Sequence, residues 1–202
     1  MRGKFITFEG IDGCGKSTQI KLLAKHLKSI GKEVVLIREP GGTSLSENIR
    51  EILLNSKHNI NEISELLLFE AARAELTEKV IKPALDKGAY VLSDRFYDST
   101  SAYQGYGRGI DLDKIDILNK VGALGIEPDV TFYLDIPLEM SQVRSGEKIK
   151  DRMERESDDF FRRVIEGFRE IAKKNPKRVI MIDASKEIEA TYNLILKEIG
   201  KF

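Results

Sequence analysis

Residues 8–18 read FEGIDGCGKST, and how this stretch is interpreted decides the fold. Gly10, four free positions, then Gly15, Lys16 and Ser17 fill every fixed place of the phosphate-loop pattern. Backbone N–H groups cradle an oxyanion only where no side chain intervenes, a demand that Gly10, Gly13 and Gly15 meet. Lys16 carries a mobile positive charge toward the outer phosphates and Ser17 offers a hydroxyl to Mg²⁺, while the following helix turns its positive N-terminus to the loop. A glycine turn that merely joins a strand to a helix is the competing reading. The flanks argue against it, since KFITFEG is β-rich and STQIKLLAKHLKSIG has helical period ending at Gly31. Cys14 reads as a small filler at a free position, with a helix N-terminus and Lys16 nearby as influences that would lower its thiol pKa.

On either side of the loop the chain alternates. Apolar runs of buried-strand type occupy 4–9, 33–39, 89–95, 130–136 and 178–184, and helical stretches fall near 16–30, 44–54, 62–86, 111–124, 154–174 and 186–200. Such alternation predicts an α/β fold, a five-stranded parallel sheet with helices on both faces, whose ligands gather at the carboxyl ends of the strands. At 202 residues the chain suits one core with a small lid. Lys plus Arg equals Asp plus Glu at 33 each, which excludes the global basic excess of a nucleic-acid binder and makes anion handling local. One cysteine excludes an internal disulfide framework, and no apolar run reaches membrane-spanning length, so a soluble cytoplasmic protein is expected.

The strand ends carry charge. Asp94 and Arg95 stand where the third apolar run stops; the carboxylate suits an Mg²⁺ hydration shell and the guanidinium fork suits two phosphate groups at once, against the plainer reading of a strand-end ion pair. The second run ends in REPGGTSLSENIR, where Pro40, Gly41 and Gly42 make a turn and Ser44 or Ser46 caps a helix bearing Arg50. Arg50 reads either as a phosphate partner or as a solvated helix charge, and Glu39 as a crevice carboxylate or an ordinary strand-end charge. Phe69 and Arg73 lie at i, i+4 on one helical face, an arrangement for stacking on a planar base while bonding its edge, although Phe69 alone would be core. A basic segment, 144–155, gathers Arg144, Lys148, Lys150, Arg152 and Arg155; it reads as a solvated charge run or as a lid that closes over the phosphates and excludes water.

At this point the chain resembles the thymidylate kinases, members of the nucleoside monophosphate kinase group. The motifs FEGIDGCGKSTQ, REPGGT, FEAARAE, DRFYDSTSAYQGYGRG, PDVTFYLDIP and DRMERE occur in that family's order across nearly the whole chain. The resemblance implies one P-loop nucleotide kinase domain over 1–202 with a lid at about 144–155, a homodimer, and Mg²⁺-dependent transfer of the ATP γ-phosphoryl to dTMP, giving dTDP. It implies that Gly10, Ile11, Asp12, Gly13, Cys14, Gly15, Lys16, Ser17 and Thr18 hold ATP, that Ser17 and Asp94 serve the metal, and that Asp12 also nears the acceptor sugar. On the acceptor side it implies that Glu39, Arg50 and Arg95 meet the dTMP phosphate and that Phe69 stacks on thymine. Arg73 and Gln104 would bond the base edge beside Thr100, and Tyr103 would crowd the ribose 2′ position. Lys16, Arg95 and Arg152 are the implied catalytic cations, with Arg144 or Lys148 as substitutes for Arg152. Phe96, where many relatives have tyrosine, and Met153, in place of the usual phenylalanine, depart from the pattern.

Other readings stand beside this one. A kinase for dUMP, UMP or CMP, or a deoxynucleoside kinase, uses the same loop. A phosphate-loop ATPase or nucleotide-sensing switch needs no acceptor at all, and it leaves Phe69, Arg73 and Gln104 unexplained.

Overall fold

A computed structural model describes residues 2–55, 59–146 and 151–200. Strands β1 (Phe5–Glu9), β2 (Val34–Arg38), β3 (Tyr90–Asp94), β4 (Val130–Asp135) and β5 (Val179–Asp183) form one sheet in the order β2-β3-β1-β4-β5, every neighbouring pair parallel. Central β1 is buried along its whole length, as its near-continuous apolar run requires. Alternation along the strands sends Phe5 and Val91 into one core and Ile6, Phe8 and Leu92 into another, so helices cover both faces. The sheet agrees with the five expected runs, each trimmed by one or two residues at its ends.

The helices place the remaining pieces. Helix α1 (Lys16–Ser29) follows the phosphate loop, and α2 (Ser44–Leu54) follows β2. Thr43, rather than Ser44 or Ser46, caps α2 by accepting from the Ser46 N–H, and the Ser46 hydroxyl instead donates across to Ala72 O at 2.8 Å. The expected 62–86 helix is α3 (Glu62–Leu76), a π-helical turn (Thr77–Ile81) and α4 (Lys82–Asp86), where the Lys82 N–H reaches Thr77 O. Pro83, with no N–H to give, follows directly.

The expected helical stretches leave out two segments, a short helix after β4 (Leu138–Ser145) and the one that follows β3. After β3 comes α5 (Tyr97–Thr100), which widens into a π-helical segment (Ser101–Gly107). An extra residue per turn removes the 3.6 spacing by which helices are read. Next come α6 (Leu112–Gly122), α7 (Leu138–Ser145), a 3₁₀ turn (Met153–Arg155), α8 (Asp158–Lys174) and α9 (Ile188–Ile199). Helix α8 starts four residues later than the expected 154, because Ser157 caps it by accepting from the Phe160 N–H. Residues 147–150 of the expected lid, with Lys148 and Lys150, lie outside the described residues.

Candidate active site

The phosphate loop closes between β1 and α1. Gly10, Gly13 and Gly15 have φ of 133°, 75° and 98°, conformations that favour glycine. A Cβ on Gly10 would meet Leu134 O at 2.8 Å, so the loop also passes too close to β4 for any side chain. No side chain caps α1, which leaves its N-terminus to an anion. Lys16, buried, donates to Gly10 O at 3.0 Å and Ile11 O at 3.1 Å, held over the loop that it serves. The Ser17 hydroxyl donates to Asp94 Oδ2 at 2.9 Å, so the two expected metal residues are neighbours. Ile11 and Cys14 are buried behind the loop. Burial pushes the Cys14 thiol up and outweighs Lys16, which reverses the sequence-based expectation of a lowered pKa and leaves the filler reading.

At the end of β3, Arg95 takes φ 74°, left-handed backbone that a branched or bulky residue seldom adopts. Its guanidinium donates to Asp12 Oδ1 at 3.1 Å, the Ser99 hydroxyl at 3.0 Å and the Tyr103 hydroxyl at 3.3 Å, and lies over the Tyr103 ring. Glu9, the last residue of β1, secures the turn from below: Oε1 accepts from the Phe96 N–H at 2.7 Å and Oε2 from the Ser99 hydroxyl. Burial pushes the Glu9 carboxyl up to about 8, and the Asp98 charge adds to the rise. The folded state therefore holds a proton that the unfolded chain releases near pH 4.5, so this group's contribution to stability falls as pH rises from 4.5 toward 8. Relative to Glu9→Gln, the wild-type melting temperature is expected to drop between pH 5 and pH 8; parallel profiles in a thermal-melt series would contradict this.

Across the cleft, Arg73 is buried and bonded at each of its three nitrogens, with two of its five N–H groups left over. Its Nε donates to Glu39 Oε2 at 2.8 Å, NH1 to Glu70 Oε1 at 2.5 Å and NH2 to the Thr100 hydroxyl at 2.9 Å. Glu39 is thus paired with Arg73, whereas Arg50 donates to Pro40 O at 2.8 Å. Burial pushes the Glu39 carboxyl up to about 7 even with Arg73 beside it. Phe69 packs with Ile49, Leu53 and Ala72 and also lines the cleft, so it is both core and wall. Gln104 donates from Nε2 to Glu65 Oε1 at 2.8 Å.

These groups enclose one cleft of about 670 Å³ that runs from Lys16, Ser17 and Asp94 past Arg95 and Tyr103 to Phe69, Arg73, Thr100 and Gln104. Gly13, Gly15, Thr18, Glu39 and Arg50 also border it. Arg152 is not among the lining residues: it pairs with Glu65 Oε2 at 2.6 Å and donates to Leu53 O at 2.7 Å. Arg144 donates to Ala184 O and Ser185 O, beyond β5. Sequence reasoning missed Arg38, which lines the cleft and pairs with Glu47, and the carboxylates of Glu9, Glu65 and Glu70. Glu65 carried a signal, since it lies one turn before Phe69 and two before Arg73 on the same stripe of α3.

The thymidylate kinase family profile matches residues 8–195. The chain is 53% identical to the thymidylate kinase of Prosthecochloris aestuarii over 96% of its own length and 92% of that protein. It is 45% identical to the thymidylate kinase of a Thermoanaerobacter species over the full length of both. The crystal structure of thymidylate kinase from Ehrlichia chaffeensis superimposes with a TM-score of 0.83 at 41% identity, covering 98% of this chain and 100% of that one.

Proposed function

The chain belongs to the thymidylate kinase family, and from that premise we propose that the cleft grips ATP and dTMP end to end, with Arg95 at the seam. The protein phosphorylates dTMP to dTDP with ATP as donor, a step of nucleotide biosynthesis. The observation that carries the site assignment is the continuity of one cleft from the phosphate loop to the Phe69, Arg73 and Gln104 wall.

The acceptor phosphate is already an anionic nucleophile, so the work lies in aligning two groups that repel one another. The backbone of residues 10–15 and Lys16 take the donor phosphates, with Thr18 at the start of α1. Arg95, preset by Asp12, Ser99 and Tyr103, neutralises charge on the acceptor and on the transferring group. Oxygen donors suit a hard cation, and the adjacent Ser17 hydroxyl and Asp94 carboxylate would hold Mg²⁺ and its waters. When bound, that ion would offset negative charge on the donor phosphates. Phe69 stacks on thymine, Arg73 and Gln104 meet its edge beside Thr100, and Tyr103 fills the space of a ribose 2′-hydroxyl. Glu39 acts by fixing Arg73, and Arg50 lies within the cleft for the acceptor phosphate. The basic segment 144–155 forms the lid of this one kinase domain, and Arg152 is its catalytic cation, released from Glu65 on closure.

A homodimer is supported by the exposed apolar side chains of Ile63 and Leu67 on α3 and Ile117 and Val121 on the adjoining α6. No helix among the described residues is long and apolar enough to cross a membrane, and a cytoplasmic place accords with the lone reduced cysteine. A coupled assay of ADP formation with ATP and a panel of dTMP, dUMP, UMP and dCMP tests the assignment. The expected result is fastest turnover with dTMP and almost none with ATP alone. Phosphate release from ATP without an acceptor, unchanged by dTMP, would favour the ATPase reading.

A further inference from the structure

We propose that Glu65, which does not line the cleft, is the positioning residue that sets its base preference, by locking the side-chain amide of Gln104 in one orientation. The proposal deepens the reading of the cleft as a dTMP site and rests on it. Glu65 is 1% exposed in the first turn of α3. Its Oε1 accepts from Gln104 Nε2 at 2.8 Å and Arg108 Nε at 3.2 Å, and its Oε2 from Arg108 NH2 at 3.1 Å and Arg152 NH2 at 2.6 Å. Burial alone would raise this carboxyl, but donors from Arg108, Gln104 and Arg152 outweigh it and hold the group below the ordinary carboxylate range. Glu65 is therefore ionised at neutral pH.

An ionised carboxylate only accepts, so the amide must turn its NH₂ toward Glu65. Gln104, itself 2% exposed, lines the cleft, and with Nε2 turned to Glu65 the opposite end of the amide, the acceptor Oε1, is the one left to meet a base there. Arg108 cannot take over the amide's place, because it is held by Glu156 at 2.7 Å and lies over the Phe160 ring. Arg73, which lines the same cleft and bonds Thr100 one turn before Gln104, has only donors to give. A donor next to an acceptor is the complement of a pyrimidine that presents a carbonyl beside a ring N–H. Cytosine presents an amino group beside a bare ring nitrogen and is mismatched at both places. Were the amide reversed, the Gln104 position would accept cytosine and repel thymine. The choice is thus made one layer behind the base, by a charge that the base never touches.

The test compares kcat/KM for dTMP with that for 5-methyl-dCMP, two acceptors of equal shape. In Glu65→Gln the new amide can donate to Gln104 as well as accept, so both orientations become available. The dTMP preference is expected to fall about 10–100-fold, and the same substitution in a Gln104→Leu background is expected to leave the preference unchanged. Equal loss with both acceptors, at a preference within twofold of wild type, would mean that Glu65 only supports the fold and would overturn the proposal. Should Glu65→Gln not fold, the wild-type protein decides: the Gln104 side-chain N–H resonances, assigned by their absence in Gln104→Leu, are expected to stay hydrogen-bonded and slow to exchange with and without dTMP. An amide released on dTMP binding would overturn the lock. A wild-type enzyme that shows no dTMP preference would sink the underlying site reading, while the resonances still report on the lock itself.

Discussion

Arg95→Ala is expected to lower kcat on the order of 10³-fold while the KM for ATP moves by no more than a few-fold. Three neighbours, Asp12, Ser99 and Tyr103, hold the guanidinium beside the phosphate loop, where the proposed acceptor would arrive, so little reorganisation would accompany the reaction. In the proposed site donor binding rests instead on Lys16 and the glycine backbone, which the substitution leaves untouched. The left-handed backbone at 95 does not confuse the result, because alanine and arginine carry the same Cβ and suffer the same strain. Steady-state kinetics with each substrate varied in turn check this. Near-normal turnover in a folded variant would refute the role given to Arg95.

The largest expected loss of stability lies away from the cleft, at Arg178. Its guanidinium grips Asp98 with two bonds of 2.6 and 2.8 Å, reaches the Thr131 hydroxyl at 2.9 Å and lies over the Tyr97 ring. Asp98 is buried beneath it. Arg178→Met keeps much of the stem's packing but strands that carboxylate without its partner, a change that costs about 3–5 kcal/mol. In a chain of this size the melting temperature should fall on the order of 10 °C. A loss below about 1 kcal/mol in denaturant titration would show that the carboxylate finds water or takes up a proton instead.

Much of this site was legible in the sequence, for identifiable reasons. The phosphate loop declared itself because its fixed spacing is dictated by backbone approach, which glycine alone permits. Asp94 and Arg95 were visible because a parallel strand delivers its last residues to the crevice. Period failed where the helix itself departs from period, at Ser101–Gly107, so Thr100, Tyr103 and Gln104 were reached only through resemblance. The buried carboxylates Glu9, Glu65 and Glu70 were harder still. For Glu9 and Glu65 burial becomes apparent only when partners from distant segments arrive: Ser99 for Glu9, Arg108 and Arg152 for Glu65. Arg152 belongs with them, since nothing in DRMERE indicates that its guanidinium is held by α3.

The widened segment after α5 acts as a phase shifter. On one side it turns Tyr103 and Gln104 to the cleft; on the other it lays Gly107 so close to α8 that a Cβ there would meet Phe160 at 2.7 Å. An ordinary helix advances about 100° per residue, so with the surplus residue deleted, everything beyond the gap would swing by roughly that angle. Either Tyr103 and Gln104 or the seam with α8 would then face correctly, but not both. The irregularity is what lets one short helix keep two appointments.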